Sequence, residues 1–182
     1  MNIEQTFIKD LILISPSVFE DSRGYFFEAY SKNRFYDLGI DIDFVQDNQS
    51  FSQKGTLRGL HYQNPPYAQT KLVRVLQGEI MDVAVDLRKD SPTYGKHFGI
   101  VLSADNKKQL LIPQGFAHGF SVLSETAVVL YKCDQFYHKE TEGGIRFDDP
   151  ILAIDWAMDL KTAVVSDKDL NLPDFIHCNN QF

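Results

Sequence analysis

The chain has 182 residues, 43% hydrophobic and 24% charged, with a net charge of −7; this excludes intrinsic disorder and argues against a general nucleic-acid binder, which is normally basic. A chain of this length buries roughly 70% of the surface its unfolded form exposes and fits one domain over residues 1–182. Glu4, Lys9 and Asp10 speak against a secretory leader, no apolar run reaches membrane-spanning length, and Cys133 and Cys178 are too few for a disulfide framework, so a cytoplasmic location is expected.

In chain order, Leu11-Ile12-Leu13-Ile14 reads as a strand stopped by Ser15-Pro16, and residues 25–30 as a strand after the turn Asp21-Ser22-Arg23-Gly24. Ser31 is placed to cap a short helix running to Leu38, with Gly39 as its stop. Within residues 71–85, two apolar-rich stretches flank Gln77-Gly78 and read as a hairpin. Strand-like runs follow at residues 98–102, 110–112, 119–123 and 127–131. Ser166-Asp167-Lys168-Asp169 opens a terminal turn, with Asp169 in the capping-box position. Strands at this spacing, with no long helical period between them, predict one antiparallel all-β domain, a sandwich, jelly roll or barrel with a few short peripheral helices.

Two segments carry polar groups unsuited to a solvent-facing strand. The first is Leu57-Arg58-Gly59-Leu60-His61-Tyr62-Gln63, followed by Gln69-Thr70-Lys71-Leu72-Val73; the second is Ile112-Pro113-Gln114-Gly115-Phe116-Ala117-His118-Gly119-Phe120. A single histidine in such surroundings is most often a core residue bonded to a backbone carbonyl, but two in such settings point to a pocket. Pro113, Gly115 and His118 fit the second motif of the cupin jelly rolls, without its leading glycine. Their first motif is His-x-His and then Glu. Here His61 is followed by Gln63, and Lys71 stands at the Glu position, seven residues before Gly78. An ammonium in the ligand set repels a divalent cation, so a metal-free pocket is expected.

Lys71 instead offers a positive charge near His61, which suits chemistry that generates an anion. His61 is then the candidate base for removing a proton α to a carbonyl. A carboxylate on its other nitrogen would orient the ring; Asp82, Asp86 and Asp169 are open candidates, Asp169 having an equal claim to a helix cap. Tyr131 and Tyr137 lie at the end of an apolar strand, where a phenol is core, rim or an inward proton donor. Arg23, Arg58 and Arg74 surround these motifs, and Arg58 in an apolar segment of an acidic protein suggests an anionic substrate such as a diphosphate. No Gly-rich phosphate loop or dinucleotide fingerprint is present, which disfavours kinase and cofactor-driven redox chemistry.

Longer ordered motifs resemble the dTDP-4-dehydrorhamnose 3,5-epimerase family. They are Asp21-Ser22-Arg23-Gly24-Tyr25-Phe26-Phe27-Glu28, Phe44-Val45-Gln46-Asp47-Asn48-Gln49-Ser50, the His61 and His118 segments above, Asp82-Val83-Ala84-Val85-Asp86, Ser91-Pro92-Thr93-Tyr94-Gly95 and Ser166-Asp167-Lys168-Asp169. The resemblance implies a cupin-like jelly roll that inverts C3 and C5 of dTDP-4-dehydro-6-deoxy-D-glucose without cofactor or metal. It implies His61 as base, Asp169 as its partner, Lys71 as enolate stabiliser and Tyr131 as proton donor on the opposite face. Tyr137 takes the thymine-stacking position, and Arg23, Glu28, Gln46, Asp47, Asn48, Arg58, His118, Glu142 and Lys168 take substrate-contact positions. Thr70 departs from the small residue usual before the lysine. The resemblance also implies a homodimer in which an N-terminal strand joins the partner's sheet, and residues 11–14 are an apolar strand that needs a partner. Neither nucleic acid nor membrane is an expected partner. Three other readings remain: an epimerase of one carbon only, a metal-dependent cupin, and a non-catalytic sugar-nucleotide binder.

Overall fold

The computed structural model describes residues 1–182. Its strands are β1 (Asn2–Gln5), β2 (Ile12–Ser15), β3 (Phe19–Asp21), β4 (Gly24–Phe26), β5 (Gln46–Gln53), β6 (Leu57–Gln63), β7 (Lys71–Gln77), β8 (Glu79–Asp86), β9 (His97–Ser103), β10 (Gln109–Ile112), β11 (Phe116–Val122), β12 (Thr126–Cys133) and β13 (Glu142–Gly144). Two short helices, α1 (Lys32–Asp37) and α2 (Asp167–Leu170), lie outside them. A six-stranded sheet in the order β1-β2-β10-β7-β12-β5 faces a five-stranded sheet in the order β13-β6-β11-β8-β9. Every pairing between these strands is antiparallel. This is the expected jelly roll.

Alternation along each strand decides what fills the space between the sheets. Val73 and Val75 of β7, Ala127 and Val129 of β12, Phe116, Phe120 and Val122 of β11, and Ile80 and Ala84 of β8 form one apolar cluster there. Residues of the same parity share that face, so Lys71, Tyr131, His118 and Asp82 enter the same interior. Behind the five-stranded sheet, Leu57, Leu60, Tyr62, Val83 and Val85 pack under Phe147, Leu152, Trp156 and Phe175 from the C-terminal segment. Behind the six-stranded sheet, α1 and the turn after it lay Phe35 and Ile40 on Ile12, Ile14, Leu72 and Leu111. The predicted cap is present: Ser31 Oγ accepts from the Arg34 N–H, and Gly39 follows at φ +81°.

Several expectations are corrected. Gln77-Gly78 is no hairpin, because β7 pairs with β10 and β12 while β8 pairs with β9 and β11. Gly78, at φ +76° and with no room for a Cβ beside the Thr126 carbonyl, instead turns the chain from one sheet into the other. Residues 11–14 do not need an outside partner, since β1 and β10 pair with β2 on both sides. The strand expected over residues 25–30 is only Gly24–Phe26, half of an exposed arm in which β3 and β4 pair solely with each other. Both β5 and β6 are strands where the polar pattern had shown none.

Strand β6 has a one-residue irregularity that decides the site. Its register with β11 runs from His61 opposite His118 to Arg58 opposite Phe120, so three steps on β6 face two on β11. Such a bulge re-aims side chains. Arg58 and His61 both reach the interior cavity, while Leu57 and Leu60 both go to the outer core. Gly59 takes the extra step at φ +118°, with its ideal Cβ position 2.6 Å from the Gly119 Cα and 2.7 Å from the His118 carbonyl oxygen. Gly59→Ala is therefore expected to cost about 2–3 kcal/mol, from overpacking and an unfavourable φ. Urea unfolding measures it, and an unchanged midpoint would show that the bulge relaxes freely.

Candidate active site

His61 and Asp169 meet across the chain, with Nε2 2.7 Å from Oδ1. Asp169 is delivered by α2, whose N-cap Ser166 accepts the Asp169 N–H at 3.1 Å. The carboxylate does not complete a capping box. Its Oδ2 accepts the Gly59 N–H at 3.2 Å, a donor that the bulge turns away from the ladder. Burial pushes the Asp169 carboxyl up, but the His61 hydrogen bond and charge and the Gly59 N–H outweigh it, leaving its pKa below the ordinary range. Asp169 thus stays ionised and orients the ring, and Nδ1 is the nitrogen left to take a proton.

The other two carboxylates are committed elsewhere. Asp82 Oδ1 lies 2.7 Å from His118 Nε2, and both residues are buried. Asp86 accepts from Arg88, from Ser91 Oγ at 2.6 Å and from Thr93 Oγ1 at 2.7 Å, and has a structural role.

A cavity of about 780 Å³ opens beside the dyad and is lined by His61, Lys71, His118, Tyr131, Arg58 and Asp169, among others. The Lys71 ammonium lies 6.0 Å from the Tyr131 ring centroid. Desolvation lowers its pKa below the ordinary lysine value, opposed by Cys133, Asp82 and Glu142. Cys133 stands opposite Lys71 in the β7–β12 register. Burial pushes this thiol up to about 11, so it is neutral beside the ammonium at pH 7. Burial also raises the Tyr131 phenol, which keeps its proton at neutral pH. Thr70, just before Lys71, is buried, and its N–H donates to Asp134 Oδ1 at 2.6 Å.

Cations dominate the cavity wall. Lys54, Arg58, Lys71 and Lys168 line it against the single carboxylate of Asp169, a field that draws anions into an acidic protein. Arg58 is anchored by its Nε donating to Ser52 Oγ at 3.1 Å. Ser50, the last residue of the Phe44–Ser50 motif, and Ser52, which no motif singles out, also line the cavity. Their signal is the polar side of an alternating strand.

The remaining expected residues divide into a rim and an arm. Gln46 Nε2 donates to Asn48 Oδ1 at 3.0 Å, the Tyr137 N–H donates to Gln46 Oε1 at 3.2 Å, and the Tyr137 hydroxyl donates to Glu142 Oε2 at 3.0 Å. Lys168 Nζ, 2.6 Å from Glu142 Oε1, joins this rim to the cavity. Burial would raise Glu142, but Lys168 and Tyr137 hold its carboxyl below the usual range. Asp47 turns outward to Lys132 at 2.9 Å. Arg23 pairs with Asp21 at 2.7 Å on the exposed arm, and Glu28 lies 3.8 Å from Arg34, so neither reaches the cavity of its own chain. Arg74 sits over the Phe27 ring at 5.2 Å, also outside it.

An oriented imidazole, a buried ammonium and a protonated phenol on one cationic wall can remove a proton beside a carbonyl, hold the resulting enolate and return a proton from another direction. Fold and site together define a jelly-roll acid–base enzyme for an anionic substrate. The chain belongs to the dTDP-4-dehydrorhamnose 3,5-epimerase family, whose model matches residues 5–177. A relative of that name from Shigella flexneri is 51% identical over 177 residues, 97% of each chain. A crystal structure of the dTDP-4-dehydrorhamnose 3,5-epimerase from Elizabethkingia anophelis superposes with a TM-score of 0.95 at 52% identity, covering 100% of this chain and 99% of that one. The dTDP-6-deoxy-D-glucose-3,5-epimerase from Legionella pneumophila, in complex with dTDP-4-keto-L-rhamnose, gives a TM-score of 0.92 at 49% identity over 97% of this chain and 93% of its own.

A pH profile tests the Lys71 role. Only the ammonium stabilises an enolate, so kcat falls as pH rises through a Lys71 pKa that lies below the ordinary 10.5. Tyr131 is shifted the other way, above 10.0. The alkaline limb is therefore expected below pH 10.5 and absent in Lys71→Arg; its persistence in that variant would assign it to another group.

Proposed function

We propose that the protein inverts C3 and C5 of dTDP-4-dehydro-6-deoxy-D-glucose to give dTDP-4-dehydro-L-rhamnose, as one catalytic domain over residues 1–182. The observation that carries this reading is the His61–Asp169 dyad sharing one cavity wall with Lys71 and Tyr131. Both carbons flank the C4 ketone, so one base and one acid serve both positions. His61 Nδ1 takes the α-proton, the C–H electron pair moves toward the C4 oxygen, and the Lys71 ammonium stabilises the enolate. Collapse of the enolate takes a proton from the Tyr131 hydroxyl on the opposite face. Exchange with water then resets imidazolium and phenolate. Electrons balance within the substrate, so the reaction calls for no redox partner.

The proposal extends to Arg58 and Lys168 on the diphosphate and Tyr137 stacked on thymine at the rim. It also includes a homodimer. The β3–β4 arm exposes Phe19, Tyr25 and Phe26, and its Arg23 stands apart from the cavity that holds His61 and Asp169. Two free cysteines fit a reducing cytoplasm, and no helix is long and apolar enough to cross a membrane.

Incubation with dTDP-4-dehydro-6-deoxy-D-glucose in D2O, followed by NMR, is expected to show deuterium at both C3 and C5. Label at one carbon alone would replace the proposal with single-site epimerisation. His61→Ala should lose roughly 100- to 10,000-fold in turnover. Lys71→Ala should cost about 3 kcal/mol of transition-state stabilisation, seen in kcat; a change confined to KM would reduce Lys71 to a binding group.

A further inference from the structure

Gln63 stands on β6 two residues beyond His61, yet it does not line the cavity. It is buried, and its whole amide is used. Nε2 donates to the Tyr67 carbonyl at 2.7 Å and to the Phe136 carbonyl at 3.2 Å, while Oε1 accepts the His138 N–H at 2.7 Å. Phe136 and His138 are the two neighbours of Tyr137. One side chain thereby holds the backbone on both sides of an aromatic residue that is itself exposed. Around this clamp, the Tyr67 ring stacks on His138 with centroids 3.7 Å apart and an interplanar angle of 9°. Glu142, which receives the Tyr137 hydroxyl, lies opposite Gln63 in the β6–β13 register.

An exposed ring gains little placement from packing, so its direction is set by its backbone and by the hydroxyl bond to Glu142. We infer that Gln63 is the positioning residue for Tyr137 and, through it, for the base end of a thymidine diphosphate sugar. The inference rests on the reading of Tyr137 as the base-stacking residue. The geometry demands an amide. It needs two donors and one acceptor on a single planar group; an imidazole has one donor fewer when neutral, and a carboxylate has no donor. Gln63 follows His61 where metal-binding jelly rolls carry their second histidine, and here that position organises a recognition loop.

The test compares Gln63→Met and Gln63→Glu with Tyr137→Ala and the double variant Gln63→Met/Tyr137→Ala. Thymidine diphosphate binding is read by calorimetry, and KM and kcat with the nucleotide ketosugar. Gln63→Met should weaken thymidine diphosphate binding about tenfold and raise KM in parallel, with the loss falling on KM rather than kcat. The double variant should be no worse than Tyr137→Ala alone, since both changes remove the same placement. If Gln63→Met fails to fold, Gln63→Glu decides in its place. It keeps the His138 bond and turns a charge on two carbonyls, so the same weakening is expected. Unchanged nucleotide affinity in the folded Gln63 variant, beside a weakened Tyr137→Ala, overturns the inference and leaves the Tyr137 reading intact. A kcat loss at constant KM, or additive losses in the double variant, also overturns it. Unchanged affinity in Tyr137→Ala removes the base-stacking reading, and the inference with it.

Discussion

The site depends on one backbone N–H. In a regular strand the Gly59 amide would belong to the β6–β11 ladder; in the bulge it reaches the Asp169 carboxylate instead. That contact places a buried charge where His61 can use it, and the extra step aims Arg58 and His61 into one cavity. The bulge exists because two glycines meet there. Gly59 and Gly119 face each other so closely that a Cβ on either would fall within 2.7 Å of backbone atoms of the opposing strand. The placements of His61, Asp169 and Arg58 are thus three consequences of one close approach.

Electrostatics complete what the bulge begins. An ammonium already bonded to a carboxylate in the resting enzyme would gain little when an enolate appears. Catalysis draws on interactions stronger in the transition state than in the ground state. Lys71 stands beside a neutral thiol, and its desolvation makes a newly formed anion a better partner than any it already has. Tyr131, on the same wall, is also shifted by burial toward keeping its proton.

The apolar strands were legible for two reasons: β12 alternates because one face is buried, and β10 and β11 are buried on both faces, which leaves a short apolar-rich run. Strands β5 and β6 escaped that logic. The inner face of β5 carries Gln46, Asn48, Ser50 and Ser52 because it borders a wet cavity and the rim, and β6 slips its own alternation at Gly59. Gly78 misled for another reason: a glycine between two strand-like runs marks either a hairpin or a corner between sheets, and only the register with distant strands tells them apart. The candidate chemistry was legible in the residue types, yet they left the choice among Asp82, Asp86 and Asp169 open, and only the family resemblance pointed to Asp169. The choice depends on an α2 that lies 108 positions from His61 in the chain.

Two similar histidines sit in different surroundings. His61 and His118 are cross-strand neighbours, and each has Nε2 against a carboxylate at 2.7 Å. A base that cycles must touch substrate and then lose its proton to water. The His61 side chain keeps 30% of its surface accessible, whereas that of His118 keeps 7% and Asp82 keeps none. Asp169 has both oxygens engaged, so it holds one orientation while the ring changes charge. Asp82, by contrast, leaves Oδ2 without a partner in a buried site. On the proposed mechanism, His61 is therefore the histidine open to substrate and solvent against a fixed carboxylate, while His118 is held as part of the cavity wall.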